Sequence, residues 1–99
     1  MNEIKIEEAL LAGDIQTFEQ ILSQFAASYN QMMTKGDELH SVWTGPSKEA
    51  FLRQYQIDCD LLKEIQSLLV DMKAAMEYAL KEYERCGRDM ETVANGIPI

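Results

Sequence analysis

The side chains that most often carry chemistry are scarce in this sequence of 99 residues. Its one histidine, His40, has no second histidine with which to build a metal site, and Cys59 and Cys86 form no Cys-x-x-Cys motif. The sequence also has no glycine-rich phosphate loop and no credible Ser/His/Asp set. Acidic pairs such as Asp58 and Asp60 are predicted to lie on solvated helix faces. We therefore expect no enzyme, no catalytic residue, no metal and no cofactor.

The net charge and the hydropathy of the chain argue against two classes of binding partner, nucleic acids and membranes. Seventeen acidic against nine basic residues give a formal net charge of −8, whereas nucleic acids and anionic lipid surfaces select for Lys and Arg. The apolar fraction of 46% is too high for a disordered acidic tail. No apolar run approaches the roughly 20 residues that a membrane span requires, and the acidic start of the chain is unlike a secretory signal peptide. We expect neither nucleic-acid binding nor membrane insertion.

Two long helices are predicted on either side of Thr44-Gly45-Pro46-Ser47, the one strong turn cluster. The first half has apolar residues at alternating spacings of three and four, typical of a helix in a bundle. This stripe consists of Ile15, Phe18, Leu22, Phe25, Tyr29, Met32, Gly36, Leu39 and Trp43. Helix one is predicted over about residues 7–41. Ile4 and Leu11 continue the spacing backwards and favour this start over one at Asp14, after Gly13.

The same spacing continues through the second half, so helix two is predicted over about residues 47–95, after a turn at 42–46. Its stripe consists of Phe51, Tyr55, Asp58, Leu62, Ile65, Leu69, Met72, Met76, Ala79, Tyr83, Cys86, Met90, Val93 and Ile97. In this register Cys86 is a small core residue and Cys59 lies off the stripe, and we expect both thiols to be reduced. Gly96-Ile97-Pro98 is expected to end the helix in a frayed C-terminal tail.

Both stripes are wider than a single hairpin would bury. The residues that broaden them are Ile21, Ala26 and Met33 in the first half and Ile57, Leu61 and Leu68 in the second. The predicted fold class is therefore all-α: one domain over residues 1–99, an antiparallel two-helix hairpin that dimerises into a four-helix bundle. The pattern is equally consistent with a second copy and with a different chain as the partner.

The predicted turn contains the one tryptophan of the chain, in Trp43-Thr44-Gly45, and Ala50 and Phe51 follow it. On this motif, its central position and its flanking heptad helices, the chain resembles the WXG family. These are small helical hairpins exported by the type VII (ESX) secretion system of Gram-positive bacteria and mycobacteria. The opening Glu3-Ile4-Lys5-Ile6 is similar to the start of some firmicute members. The resemblance covers nearly the whole chain and places the family motif on Trp43 and Gly45.

The resemblance implies a homodimer or a paralogous heterodimer, with a type VII secretion ATPase and in some cases a larger co-secreted effector as further partners. It implies a secreted protein, made in the cytoplasm and exported without a cleaved signal peptide. Such a protein acts in virulence or competition, or escorts the effector. Many members carry a C-terminal Tyr-x-x-x-Asp/Glu export motif, which Tyr78 and Glu82 match; the alternative is an ordinary surface pair on a helix. The alternative function is a cytosolic helical adaptor or chaperone for a coiled-coil partner.

Overall fold

The computed structural model describes residues 2–96, with side chains from Glu3 onward. Two helices contain nearly all of these residues: α1 spans Asn2–Val42 and α2 spans Ser47–Gly96. No strand occurs between residues 2 and 96. The prediction of an all-helical chain with two long helices about a central turn is confirmed. The expected helix end at Ile97-Pro98, and the tail that follows, lie outside the described residues.

The first helix is longer than the predicted range of about 7–41. It begins at Asn2 and passes through Gly13 without a break, so the start at Asp14 is not observed. A glycine in a helix interior costs about 1 kcal/mol relative to alanine. Ile4 and Leu11 before Gly13 are half-buried, and Ile15 after it is buried. Apolar packing on both sides of the glycine offsets its unfavourable helix propensity.

The chain divides into two compact units, and each contains a segment of both helices. Unit 1 comprises Met1–Gln20 and Asp71–Ile99, and unit 2 comprises Ile21–Val70. In unit 2, Tyr55 of α2 reaches Met32 of α1, while Phe51, earlier on α2, contacts Trp43 after the end of α1. This order of contacts makes the two segments antiparallel.

Two ion pairs show the same direction within unit 1. Lys5 pairs with Glu91 at 3.2 Å between Nζ and Oε1, and Glu19 pairs with Lys73 at 3.3 Å between the same atom types. Early residues of α1 therefore lie beside late residues of α2. Exposed ion pairs of this kind contribute little stability, about 0–1 kcal/mol each. They therefore show the register of the two segments but contribute little to stabilising it.

The side of α2 that contacts α1 differs from the predicted stripe. Cys59, predicted off the stripe, is 4% exposed in unit 2. Cys86, predicted as a core residue, is exposed in unit 1. The expected burial of the two cysteines was therefore wrong, and the positions exchange roles. In α1, by contrast, the predicted stripe is largely the buried or half-buried side of the helix.

The side of α2 that contacts α1 differs from the predicted stripe because two neighbouring sides of the helix fit the same heptad repeat. Both sides share the row Tyr55, Leu62, Leu69 and Met76. The inner row, which faces α1, adds Leu52, Cys59, Gln66, Lys73, Leu80 and Gly87. The outer row adds Ile65, Met72, Ala79, Cys86 and Val93. Hydrophobicity favours the outer row, whereas the contacts use the inner one. Lys73 pairs with Glu19, and a β-carbon on Gly87 would lie 3.6 Å from Cγ2 of Ile4.

Candidate functional site

The turn between the helices belongs to unit 2 and is formed by the Trp-x-Gly segment. Trp43 donates its backbone N–H to the Leu39 carbonyl at 2.8 Å, which continues the hydrogen bonding of α1. Gly45 has a φ of 118°, in the left-handed region that residues with side chains rarely adopt. Its carbonyl accepts a hydrogen bond from the Lys48 N–H at 3.2 Å, in the first turn of α2. The backbone of this turn therefore favours glycine at position 45.

Trp43 is half-buried and rests on α2 through another aromatic ring. Its ring centroid lies 4.8 Å from that of Phe51, with the planes inclined by 53°. Phe51 in turn stacks on Tyr55 at 5.8 Å between centroids and 18° between planes. Both arrangements fall within the range of attractive aromatic pairs. The indole is thus supported on one side by Phe51 and remains partly accessible to solvent.

Tyr55 links this aromatic series to α1. Its hydroxyl donates to the Met32 carbonyl at 3.2 Å and lies 3.4 Å from the Met33 carbonyl oxygen. Gly36, which is buried in α1, faces the ring: a β-carbon there would overlap the hydroxyl and lie 2.8 Å from Cε2. Burial raises the pKa of the Tyr55 phenol above its ordinary value, and neighbouring Cys59 adds to the shift.

The sequence pattern placed Gly36 and Tyr55 on the stripes but gave them no special part in the site. The signal that would have identified them is a glycine at a core position of one helix that faces a large aromatic residue of the other. Glycine at such a position removes packing, so its presence indicates a close approach by another group.

Tyr78 and Glu82 lie one turn apart on α2 in unit 1, and the Trp-x-Gly turn lies in unit 2. Tyr78 is 67% exposed. Glu82 is half-buried and binds the Arg85 guanidinium at 2.8 Å, and Arg85 also contacts Asp89 at 3.3 Å. These carboxylates raise the pKa of Arg85. Tyr78 is therefore available for contact with a second molecule, whereas Glu82 is already paired within its own helix.

The outer face of α2 is apolar and uncovered. We define it by the outer row together with Leu61 and Leu68, which adjoin it in unit 2. Leu68 is 62% exposed, and Met72 in unit 1 is 54% exposed. Ala79 and Cys86 of this face line a shallow depression in unit 1, together with Tyr83 and the paired Glu82 and Arg85. Exposed apolar side chains grouped on one face indicate an interaction surface, whereas single ones do not.

The remaining candidates for chemistry lie apart from one another. Across residues 3–96, no three His, Cys, Asp or Glu side chains come together in a way that would hold a metal ion. His40 is exposed in the last turn of α1, where the helix dipole favours positive charge. Neither helix, over its described length, has a stretch apolar enough to cross a membrane.

Comparison with known proteins returns no match to a family model, to a curated protein or to a solved structure. Three features of the chain itself point to a function: the Trp-x-Gly turn, the exposed Tyr78 and the outer face of α2.

Proposed function

We propose that this protein is a WXG-type substrate of a bacterial type VII (ESX) secretion system that acts through protein–protein contact. The observation that supports this best is the turn, where Trp43 is half-buried against Phe51 and Gly45 is left-handed between two long helices. A partly exposed tryptophan supported on one side is suited to docking, because large rigid aromatic residues dominate binding energy at interfaces. In this proposal Trp43 and Gly45 form an export signal together with Tyr78 and Glu82 of a partner chain.

The exported form in this proposal is a four-helix bundle built from two hairpins. Within residues 3–96, Ile15 and Cys59 are the only buried hydrophobic residues. Packing the outer face of α2 against a second copy or a paralogous chain would supply the missing core.

The secretion ATPase is the proposed reader of the export signal. After export, the protein would act as a virulence or competition factor, or as the escort of a larger co-secreted effector. The apolar outer face of α2 favours the escort role as well as dimerisation, since it would also accept a helix of such an effector.

The second candidate function is a cytosolic helical adaptor or chaperone that shields a coiled-coil partner. The observation that favours it is again the uncovered outer face, with Leu68 and Met72 more than half exposed. This function requires neither a secretion ATPase nor an exposed indole at the turn. Export therefore separates the two candidates.

The test is export of Trp43→Ala from the source cells, with and without the secretion ATPase. Val42→Ala is the matched control, because Val42 is the neighbouring residue and is exposed. We expect the wild-type protein and Val42→Ala in the medium only when the ATPase is present, and Trp43→Ala retained in the cells with its helix content and dimerisation intact.

A folded Trp43→Ala that is exported at the wild-type level would contradict the proposed signal. Wild-type protein that stays in the cells bound to a coiled-coil partner would favour the adaptor. Circular dichroism at growth temperature identifies a variant that has simply unfolded; Trp43→Phe, which keeps an aromatic ring on Phe51, then replaces it in the assay.

A further inference from the structure

Three rings in unit 2 form a series in which one member is anchored. Trp43 contacts Phe51, and Phe51 stacks on Tyr55. Tyr55 is the member with a polar tether, since its hydroxyl donates to a main-chain carbonyl of α1 at Met32. A helix carbonyl has a second lone pair for such a bond after its own helical hydrogen bond is made. The series therefore runs from the half-buried indole to a hydrogen bond with the main chain of α1.

Gly36 leaves the space on the surface of α1 that the Tyr55 ring occupies. Because a β-carbon at position 36 would overlap the phenol, the ring occupies a notch in α1 that exists only with glycine there. The notch restricts the ring sideways and the hydroxyl bond restricts it along its length. Phe51 lies between the other two rings, in contact with Trp43 on one side and with Tyr55 on the other.

We infer that Tyr55 is a positioning residue for Trp43: seated in the Gly36 notch, it fixes Phe51 and through it the orientation of the half-buried indole at the turn. The consequence is an indole that is ordered before any partner binds. Ordering a side chain during association weakens binding, so an indole held in advance docks more tightly than a mobile one. The link to export rests on the proposed function, whereas the orientation itself is a property of the isolated protein.

The single tryptophan makes the inference measurable in the purified full-length protein. Tyr55→Phe keeps the aromatic ring and removes the hydrogen bond from the hydroxyl to the Met32 carbonyl. Tyr29→Phe is the matched control, because Tyr29 is also a half-buried tyrosine of unit 2, and its buried hydroxyl has no hydrogen-bond partner among the described residues. We expect Tyr55→Phe to lower the anisotropy of Trp43 fluorescence and to increase its quenching by acrylamide, with helix content unchanged. Tyr29→Phe should match the wild-type protein in all three measurements.

The same variants are then assayed for export. We expect Tyr55→Phe to reduce the secreted amount about two- to tenfold, the factor that corresponds to ordering one additional side chain on binding. Gly36→Ala, which displaces the ring from its notch, should change fluorescence and export in the same direction.

Unchanged anisotropy and quenching in Tyr55→Phe would overturn the inference, even if Trp43→Ala still blocks export. A mobilised indole with wild-type export would overturn the link between orientation and docking. Failure of the proposed function shows itself separately, as export of a folded Trp43→Ala.

Discussion

The phenol of Tyr55 lies where a side chain on Gly36 would be, so these two residues form a single contact between the helices of unit 2. Gly36 provides the space, and Tyr55 fills it and donates a hydrogen bond to the main chain of α1. Any side chain at position 36 must displace the ring. The contact therefore depends on both residues, and the support of the Trp-x-Gly turn depends on the contact.

The raised pKa of Tyr55 predicts a loss of stability in alkaline solution. The folded state holds this phenolic proton more tightly than the unfolded chain, in which tyrosines titrate near pH 10. The contribution is thus complete below about pH 10 and declines as the pH rises through the folded-state pKa. We expect the free energy of unfolding, measured in urea at constant ionic strength, to fall above pH ~10, and to fall less in Tyr55→Phe.

Replacing each cysteine by serine should change the free energy of unfolding in the reverse of the order that the sequence pattern predicts. The change at Cys59 should be the larger one. Cys59→Ser places a hydroxyl in a buried site and should lower the free energy of unfolding by about 1–3 kcal/mol. Cys86→Ser changes an exposed residue and should stay within about 0.5 kcal/mol of wild type. Urea unfolding under reducing conditions measures both. In the native protein, a thiol reagent should modify Cys86 much faster than Cys59; the reverse order would mean that the outer row is the one buried against α1.

The helices and the turn were predictable because their signals are local: apolar spacing, one Gly-Pro cluster and a glycine at the required left-handed position. The inner row of α2 was not, because it includes Gln66, Lys73 and Gly87 while the neighbouring outer row is apolar. A single sequence shows which side of a helix is apolar. It does not show whether that side packs against the other helix of the same chain or against another molecule. The anchoring of Trp43 through Tyr55 was missed for a related reason, since it depends on how the Tyr55 ring of α2 packs into the notch at Gly36 of α1.

A charge on the outer face of α2 should dissociate the proposed dimer. Leu68→Glu introduces a carboxylate where a leucine would be buried against the partner, which removes roughly 1.5–3 kcal/mol of apolar burial before any cost of desolvating the charge. We expect the dissociation constant to rise at least about tenfold, with helix content preserved. Ser67→Glu adds the same charge at an exposed neighbouring position off this face and should leave association unchanged.

Light scattering across a concentration series measures both variants. Wild-type particles should have twice the chain mass of 11.3 kDa, and Leu68→Glu particles should approach the single-chain mass. Equal dissociation by both variants would point to net charge rather than to the outer face, and a stable Leu68→Glu dimer would exclude this face as the interface.

Lys73 should be replaceable by methionine without loss of stability. Its side chain is 29% exposed, and its ammonium pairs with Glu19 at 3.3 Å and with Glu77 at 3.8 Å. Lys73→Met keeps most of the apolar stem and removes the cost of desolvating the charge, so the free energy of unfolding should change by no more than about 1 kcal/mol. Lys73→Glu places three carboxylates together and should be clearly destabilising, more so at low salt. Thermal unfolding at two salt concentrations separates these outcomes; a large loss of stability in Lys73→Met would show the ion pair to be a main determinant of unit 1.

The antiparallel arrangement of the helix segments also determines the order in which their contacts can form during folding. Trp43 and Phe51 are 8 positions apart in the sequence, whereas Lys5 and Glu91 are 86 positions apart. The entropy lost in closing a loop grows with its length, by about 0.6 kcal/mol for each doubling. Contacts near the turn thus form over short loops, and those of unit 1 must wait for the longest ones. On a ribosome, the first segment of α1 would emerge long before its partner segment of α2, and it would remain unpaired until synthesis is nearly complete.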